Sequence, residues 1–189
     1  MDWNDIFNQG RDFRVMNTLL LEKLLKRIGR NTGTALDLGC GTGDLAVKLA
    51  GQGFSVDAID ISSIALGKAK KRAQEVGVAF ETHQADLNDT WPPLDGPFTL
   101  ITCKLVLAFI QDKNRFLNQV KELLGQDGTF LLITPVLHSD HKYNKRLQGI
   151  SIPNEELDIL LQKHFQSIEV AHNEYFEELG HEKYFIITP

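Results

Sequence analysis

Cysteine is scarce in this 189-residue chain, with only Cys40 and Cys103. They form no CxxC pair and no ligand cluster, so neither a disulfide framework nor a zinc site is expected, and no metal is assigned. Long apolar runs are also missing. The longest, Leu105 to Ile110, is far too short to cross a bilayer. The opening Met1-Asp2-Trp3-Asn4-Asp5 is acidic and lacks the basic start and apolar centre of a secretory signal. A reducing cytoplasm without membrane attachment is therefore the expected location. Positive charge is in deficit too: 20 Lys and Arg stand against 25 Asp and Glu, a net charge of −5. A nucleic-acid partner, which needs a basic face, is not expected. The one basic cluster, Lys68, Lys70, Lys71 and Arg72, has no interleaved aromatics and reads as a solvated helix face.

What is present is an ordinary globular composition, 42% apolar and 24% charged, at a length suited to one core. One domain over 1–189 is expected, with 1–30 as an N-terminal helical segment. Strand-like and helix-like segments alternate. Leucines at helical spacing predict a helix over Val15 to Ile28, and Thr34 to Leu38 is a first strand. Asp44 to Ala50 is helical, and Phe54 to Ile59 is the second strand. Ser62 or Ser63 caps a helix that Gly77 ends. Val78 to Gln84 is a third strand, Phe98 to Thr102 a fourth and Thr129 to Thr134 a fifth. Asp112 caps the helix before the fifth, and Pro153 enters the first turn of a helix reaching His164. The turn between Ser167 to Phe176 and Lys183 to Thr188 is too short for a crossover helix, so these two strands should be antiparallel neighbours. The fold class is α/β: a doubly wound, Rossmann-like sandwich with a seven-stranded, mostly parallel sheet, an antiparallel last strand and helices on both faces.

The chemistry concentrates in Asp37-Leu38-Gly39-Cys40-Gly41-Thr42-Gly43, between the first strand and the first crossover helix. Ligands of open α/β sheets bind at the carboxyl ends of the strands, and glycines let the backbone come close to them. A dinucleotide fingerprint G-x-G-x-x-A can be read from Gly41, but it begins late and leaves Asp37 unexplained. Asp44 would also set a carboxylate beside a pyrophosphate. A ligand with a cationic centre meets no such objection.

The stretch resembles the first motif, D/E-x-G-x-G-x-G, of the class I S-adenosylmethionine-dependent methyltransferases. The resemblance extends in order through Asp60 and Ile61 after strand two, Asp86 and Leu87 after strand three, Phe98 to Lys104, and the turn Leu123 to Phe130. It implies S-adenosylmethionine as cofactor. Gly39, Cys40, Gly41 and Gly43 would lie beneath its methionine portion, with Asp37 holding the amino end. Asp60 would bind the ribose hydroxyls. Asp86 would accept from the adenine amino group, and the Leu87 N–H would donate to the ring. Cys40 and Cys103 would be small packing residues lining the cofactor. Relatives often carry a histidine pair after strand four, where this chain has Ala108 and Phe109. Candidate catalytic groups near strands four and five are Lys104, His138, His141 and Tyr143. The aromatic stretch with Trp3, Phe7 and Phe13 is a candidate lid, with Arg14 or Arg11 pairing the methionine carboxylate. The expected acceptor is a small molecule. RNA or protein methylation, a non-catalytic cofactor-binding subunit and a nicotinamide-dependent oxidoreductase are the competing readings.

Overall fold

The computed structural model of the chain describes residues 2–13, 18–137, 149–171 and 182–189. In chain order the helices are α1 (Trp3–Asn8), α2 (Thr18–Ile28), α3 (Asp44–Gly51), α4 (Ser63–Val76), α5 (Lys113–Leu123) and α6 (Asn154–His164). The strands are β1 (Gly33–Leu38), β2 (Phe54–Asp60), β3 (Glu81–Gln84), β4 (Phe98–Lys104), β5 (Leu124–Leu137), β6 (Ile152–Pro153), β7 (Ser167–Ala171) and β8 (Glu182–Thr188). One sheet runs β3-β2-β1-β4-β5-β8-β7, with the two-residue β6 paired to β5 off that path. The pairings among β1 to β5 are parallel, and β8 is antiparallel to both β5 and β7. The strand order reverses between β1 and β4. A crevice opens at that switch point, outside the strand ends.

Alternation along each strand separates two cores. On one face Leu36, Ile101, Phe130 and Leu132 pack with Phe116 and Leu117 of α5 and Leu157 and Leu161 of α6. On the other, Ala35, Leu100, Leu131 and Ile133 pack with Leu21, Leu24 and Leu25 of α2 and Leu45 and Leu49 of α3. Each of these leucine, isoleucine and phenylalanine side chains contributes roughly 1.5–3 kcal/mol of transfer free energy. A strand buried on both faces needs this near-continuous apolar pattern, which is why β1, β4 and β5 lie at the centre.

The expected caps are present. Ser62 Oγ accepts from Ala65 N at 3.1 Å, Asp112 Oδ1 accepts from Arg115 N at 2.9 Å, and Gly77 closes α4 at φ 72°. Some boundaries differ. Pro153 is the N-cap of α6 rather than a first-turn residue, because its ψ of 132° is extended. The described strand β5 begins at Leu124, and a register shift against β4 between Phe98 and Leu100 absorbs the glycine turn read there. The crossing from β3 to β4 has no helix. It is held instead by Trp91, whose buried indole donates to Leu87 O at 3.1 Å and packs edge-on against Phe116. No described helix is long and apolar enough to cross a membrane.

Candidate functional site

The crevice is a cavity of about 410 Å³. Its floor begins at the end of β1, where the chain turns through Gly39, Gly41 and Gly43 at φ of 71°, 53° and 79°. All three need the left-handed conformation that favours glycine, but their surroundings differ. A Cβ on Gly39 would lie 2.3 Å from the Val106 side chain, and one on Gly43 would lie 2.6 Å from Ala69 of α4. On Gly41 it would point toward Phe7, 3.5 Å away. Gly43 thus serves the packing of α4 on the loop and does not line the cavity, whereas Gly39, Cys40 and Gly41 do.

Asp60 ends β2 and grips this loop. Its Oδ2 accepts from Gly41 N and its Oδ1 from Ser62 N, each at 2.8 Å. Burial raises its pKa, and the bonds from Ser62, Gly41 and Ile61 oppose the rise. Asp37 is more deeply placed. Thr102 of β4 donates to its Oδ1 at 2.7 Å, while its buried Oδ2 has no partner among the described residues. Burial is the main cause that pushes its pKa up to about 6, against the Thr102 bond and the nearby Lys104 charge. An unsatisfied buried carboxylate oxygen is costly, and a cationic donor entering the crevice would relieve it.

Asp86 follows β3 and lines the cavity with Leu87 and Asn88. Ile61 lines it as well and is 40% exposed, large for an apolar side chain. At the end of β4, Leu105 takes φ 62°, the one described non-glycine residue at positive φ, and its N–H donates to Ile133 O at 2.8 Å. Such backbone strain concentrates at functional turns. Lys104 beside it lines the cavity and donates to Phe13 O at 3.1 Å. Cys103, read from sequence as lining the cofactor, is instead buried in the core beneath. Alternation along β4 turns Lys104 to the cavity and Cys103 away from it. Burial, with Asp37 and Asp60 nearby, pushes the Cys40 thiol well up, so it stays neutral.

The N-terminal segment covers this floor. Trp3, Phe7 and Phe13 line the cavity together with Phe109, and Trp3 meets Phe109 edge-on at 5.0 Å between ring centres. Polar contacts pin the segment. Asn4 Oδ1 accepts from Ser62 Oγ at 2.7 Å, and Asp12 accepts from Thr42 Oγ1 at 2.8 Å and from Arg72 at 2.9 Å. Burial works against the Asp12 carboxylate, but the Thr42 and Arg72 bonds outweigh it and hold its pKa below the usual value. The basic helix face thus has a second use, since Lys68 also donates to Phe7 O. Neither Asn4 nor Asp12 stood out in the sequence, because their partners lie 58 and 30 residues away. Arg11 lines a separate cleft beside Lys71 rather than the crevice. Arg14, His138, His141 and Tyr143 lie outside the described residues. His83 bonds Asp57 across β2 and β3 at 2.7 Å.

Comparison with known proteins agrees with this geometry. A family model described as a methyltransferase domain matches residues 30–175. The chain belongs to the methyltransferase-domain family. A Geobacillus sp. (strain WCH70) protein, whose name gives a methyltransferase and no substrate, is 34% identical over 149 residues, 72% of this chain and 56% of that protein. A ubiquinone biosynthesis O-methyltransferase of Sodalis glossinidius is 28% identical over 133 residues, 70% of this chain and 53% of that protein. The chain thus spans little more than half the length of these curated relatives. The fold matches the solved SAM-dependent methyltransferase of Aquifex aeolicus at a TM-score of 0.72 and 18% identity, over 99% of this chain and 98% of that one.

S-adenosylmethionine is the cofactor this family implies, and the residues fit it. Asp37 Oδ2, without a partner among the described residues, calls for a cationic donor, and Gly39, Cys40 and Gly41 present the glycine turn to the crevice. Five carboxylates, Asp12, Asp37, Asp44, Asp60 and Asp86, line the cavity with Lys104. Asp12 and Asp44 are paired with Arg72 and Lys48, so the field comes mainly from Asp37, Asp60 and Asp86, and it favours a sulfonium with an ammonium group over a pyrophosphate.

Proposed function

We propose that the chain transfers the methyl group of S-adenosylmethionine to a small-molecule acceptor with an apolar body. The observation that carries this reading is the buried oxygen of Asp37, without a partner among the described residues and set in the same cavity as Asp60, Asp86 and an aromatic wall. Asp37 holds the ligand's ammonium group. Asp60 takes the ribose hydroxyls, since a carboxylate offers two acceptors to two neighbouring donors. Asp86 and the Leu87 N–H take the adenine, while Gly39, Cys40 and Gly41 underlie the methionine portion and Ile61 gives an apolar surface beside it. The cofactor supplies an already activated methyl group. The protein's part is to align the acceptor and exclude water, and alignment alone lowers a barrier by about 7–11 kcal/mol.

Trp3, Phe13, Phe109 and Ile150 give the acceptor end an apolar surface. The ubiquinone-pathway O-methyltransferases among the relatives, enzymes named for a small-molecule pathway, support an acceptor of that size. Of the four candidate catalytic groups, Lys104 lies at this end. We assign it first to holding the cover through Phe13 O and second to orienting the acceptor, with His138, His141 and Tyr143 as candidate bases. A single domain over 1–189 in the cytoplasm completes the reading, supported by two free thiols, Cys40 and Cys103.

A thermal-stabilisation screen tests the proposal. S-adenosylhomocysteine should raise the melting temperature in proportion to the logarithm of its concentration, and NAD(P)H should not. Mass spectrometry of metabolite extracts incubated with protein and cofactor should then reveal a product one methylene heavier than its precursor. Stabilisation by NAD(P)H alone would overturn the reading.

A further inference from the structure

The turn after β3 does more than present Asp86 to the cavity. Asn88 donates to Asp86 Oδ1 twice, from its backbone N–H at 2.9 Å and from its side-chain Nδ2 at 3.0 Å. The far end of that side chain settles which way its amide faces. Asn88 Oδ1 lies 2.8 Å from the backbone nitrogen of Gln111, which can only donate. The amide oxygen therefore points to Gln111, and the NH2 group points to Asp86. Both bonds from Asn88 fall on one carboxylate oxygen, which leaves Asp86 Oδ2 to the cavity that Asp86, Asn88 and Gln111 all line.

The backbone of the turn is held by other groups. The Arg115 guanidinium donates to Asn88 O at 3.1 Å and to Asp89 O, and the Trp91 indole donates to Leu87 O at 3.1 Å. The Asn88 side chain is thus spared from folding the turn. What it does is fix the rotation of the Asp86 carboxylate and tie the adenine end of the cavity to the segment that follows Phe109.

We propose that Asn88 is a positioning residue: by pinning one oxygen of Asp86 and aiming the other, it makes the site selective for a 6-amino purine over a 6-oxo purine. This rests on the reading of the cavity as an S-adenosylmethionine site with Asp86 at the adenine amino group. A 6-amino group donates to an aimed carboxylate oxygen, whereas a 6-oxo group meets it acceptor to acceptor. A pinned carboxylate enforces that contrast. A freely rotating one blurs it, because water can solvate whichever oxygen the ligand leaves.

The test compares S-adenosylhomocysteine with S-inosylhomocysteine by calorimetry on the full chain. The native protein should prefer the adenosine ligand by at least about a hundredfold, since a site built around a donor rejects the analogue lacking it. Asn88→Ala should reduce that ratio about tenfold, mainly through weaker binding of the adenosine ligand. Asn88→Asp keeps an acceptor for Gln111 and the backbone bond to Asp86 but, like the alanine variant, loses the side-chain donor to Asp86, so it should lose the same selectivity, and it supplies the ratio if the alanine variant does not fold. A native ratio retained in either folded variant, or a native protein that binds both purines equally, would overturn the role of Asn88. A native protein that binds neither ligand would instead overturn the reading of the cavity, and this shows before any variant is made.

Discussion

Asp60 takes two 2.8 Å bonds from backbone N–H groups deep in the crevice, one from Gly41 of the glycine loop and one from Ser62 at the start of α4. The N-terminal segment meets the same loop through Asp12, whose partner Arg72 keeps 32% of its side chain in water. Floor and cover therefore differ in strength even though both use carboxylates. Bonds to a buried charge are worth about 1.5–3 kcal/mol each. Partly exposed ion pairs are worth about 0–1 kcal/mol and weaken with salt. The floor should persist while the cover opens and closes over it, as ligand entry to a lidded crevice requires.

Asp60→Ala breaks the comparison hardest, because it removes both the loop anchor and the proposed ribose acceptor. Affinity for S-adenosylhomocysteine should fall about a hundredfold by calorimetry. Unchanged affinity would take Asp60 out of the site.

Asp37 yields the next effect, through pH. Its folded pKa of about 6 lies above the ordinary 3.8, so between those values the folded ligand-free protein binds more protons than the unfolded chain. Stability from this group is therefore present below about pH 4 and is lost as pH rises through 6. Asp37→Asn should stabilise the ligand-free protein at pH 7.5 by up to about 3 kcal/mol, with the gain vanishing toward pH 4. In the native protein, ligand affinity should climb as pH rises from 5 to 6.5 and then level off, since the proposed bond to the ligand's ammonium needs an ionised Asp37. A flat profile in chemical denaturation and calorimetry would contradict both.

Asp12→Ala sharpens the comparison with a smaller change. Freeing the cover should weaken ligand binding about fivefold and speed amide exchange in residues 3–13, leaving the exchange of β2 unaltered. Equal acceleration in both regions would mean that floor and cover form one unit. The smallest change is expected at Lys71, whose 3.9 Å contact with Glu75 lies on the exposed face of α4. Lys71→Ala should alter stability by less than about 0.5 kcal/mol and affinity not at all.

The floor was legible in the sequence. Asp37, the glycines, Asp60 and Asp86 sit where a strand ends and a turn begins, and strand ends are marked by the halt of an apolar run. The reading erred where it assigned direction. Gly43 turns toward Ala69 and Cys103 into the core, because facing depends on pleat and on packing of α4, which no short motif records. The cover was legible only as a run of aromatics. Its anchors Asn4 and Asp12, and the bond from Asn88 to Gln111, join positions 58, 30 and 23 residues apart with no shared pattern.

Sequence by itself determined the alternation of strands and helices, the capping residues, the glycine turn and the hairpin partnership of β7 and β8, since each depends on side chains within a few positions along one backbone. Tertiary structure alone decided that β8 lies between β5 and β7, that basic residues of α4 clamp the N-terminal segment, and that Asp37 keeps one oxygen buried without a partner among the described residues. The reason lies in how burial acts: whole apolar faces choose their neighbours together, and polar groups far apart in the chain are then brought into contact by the shape those faces leave.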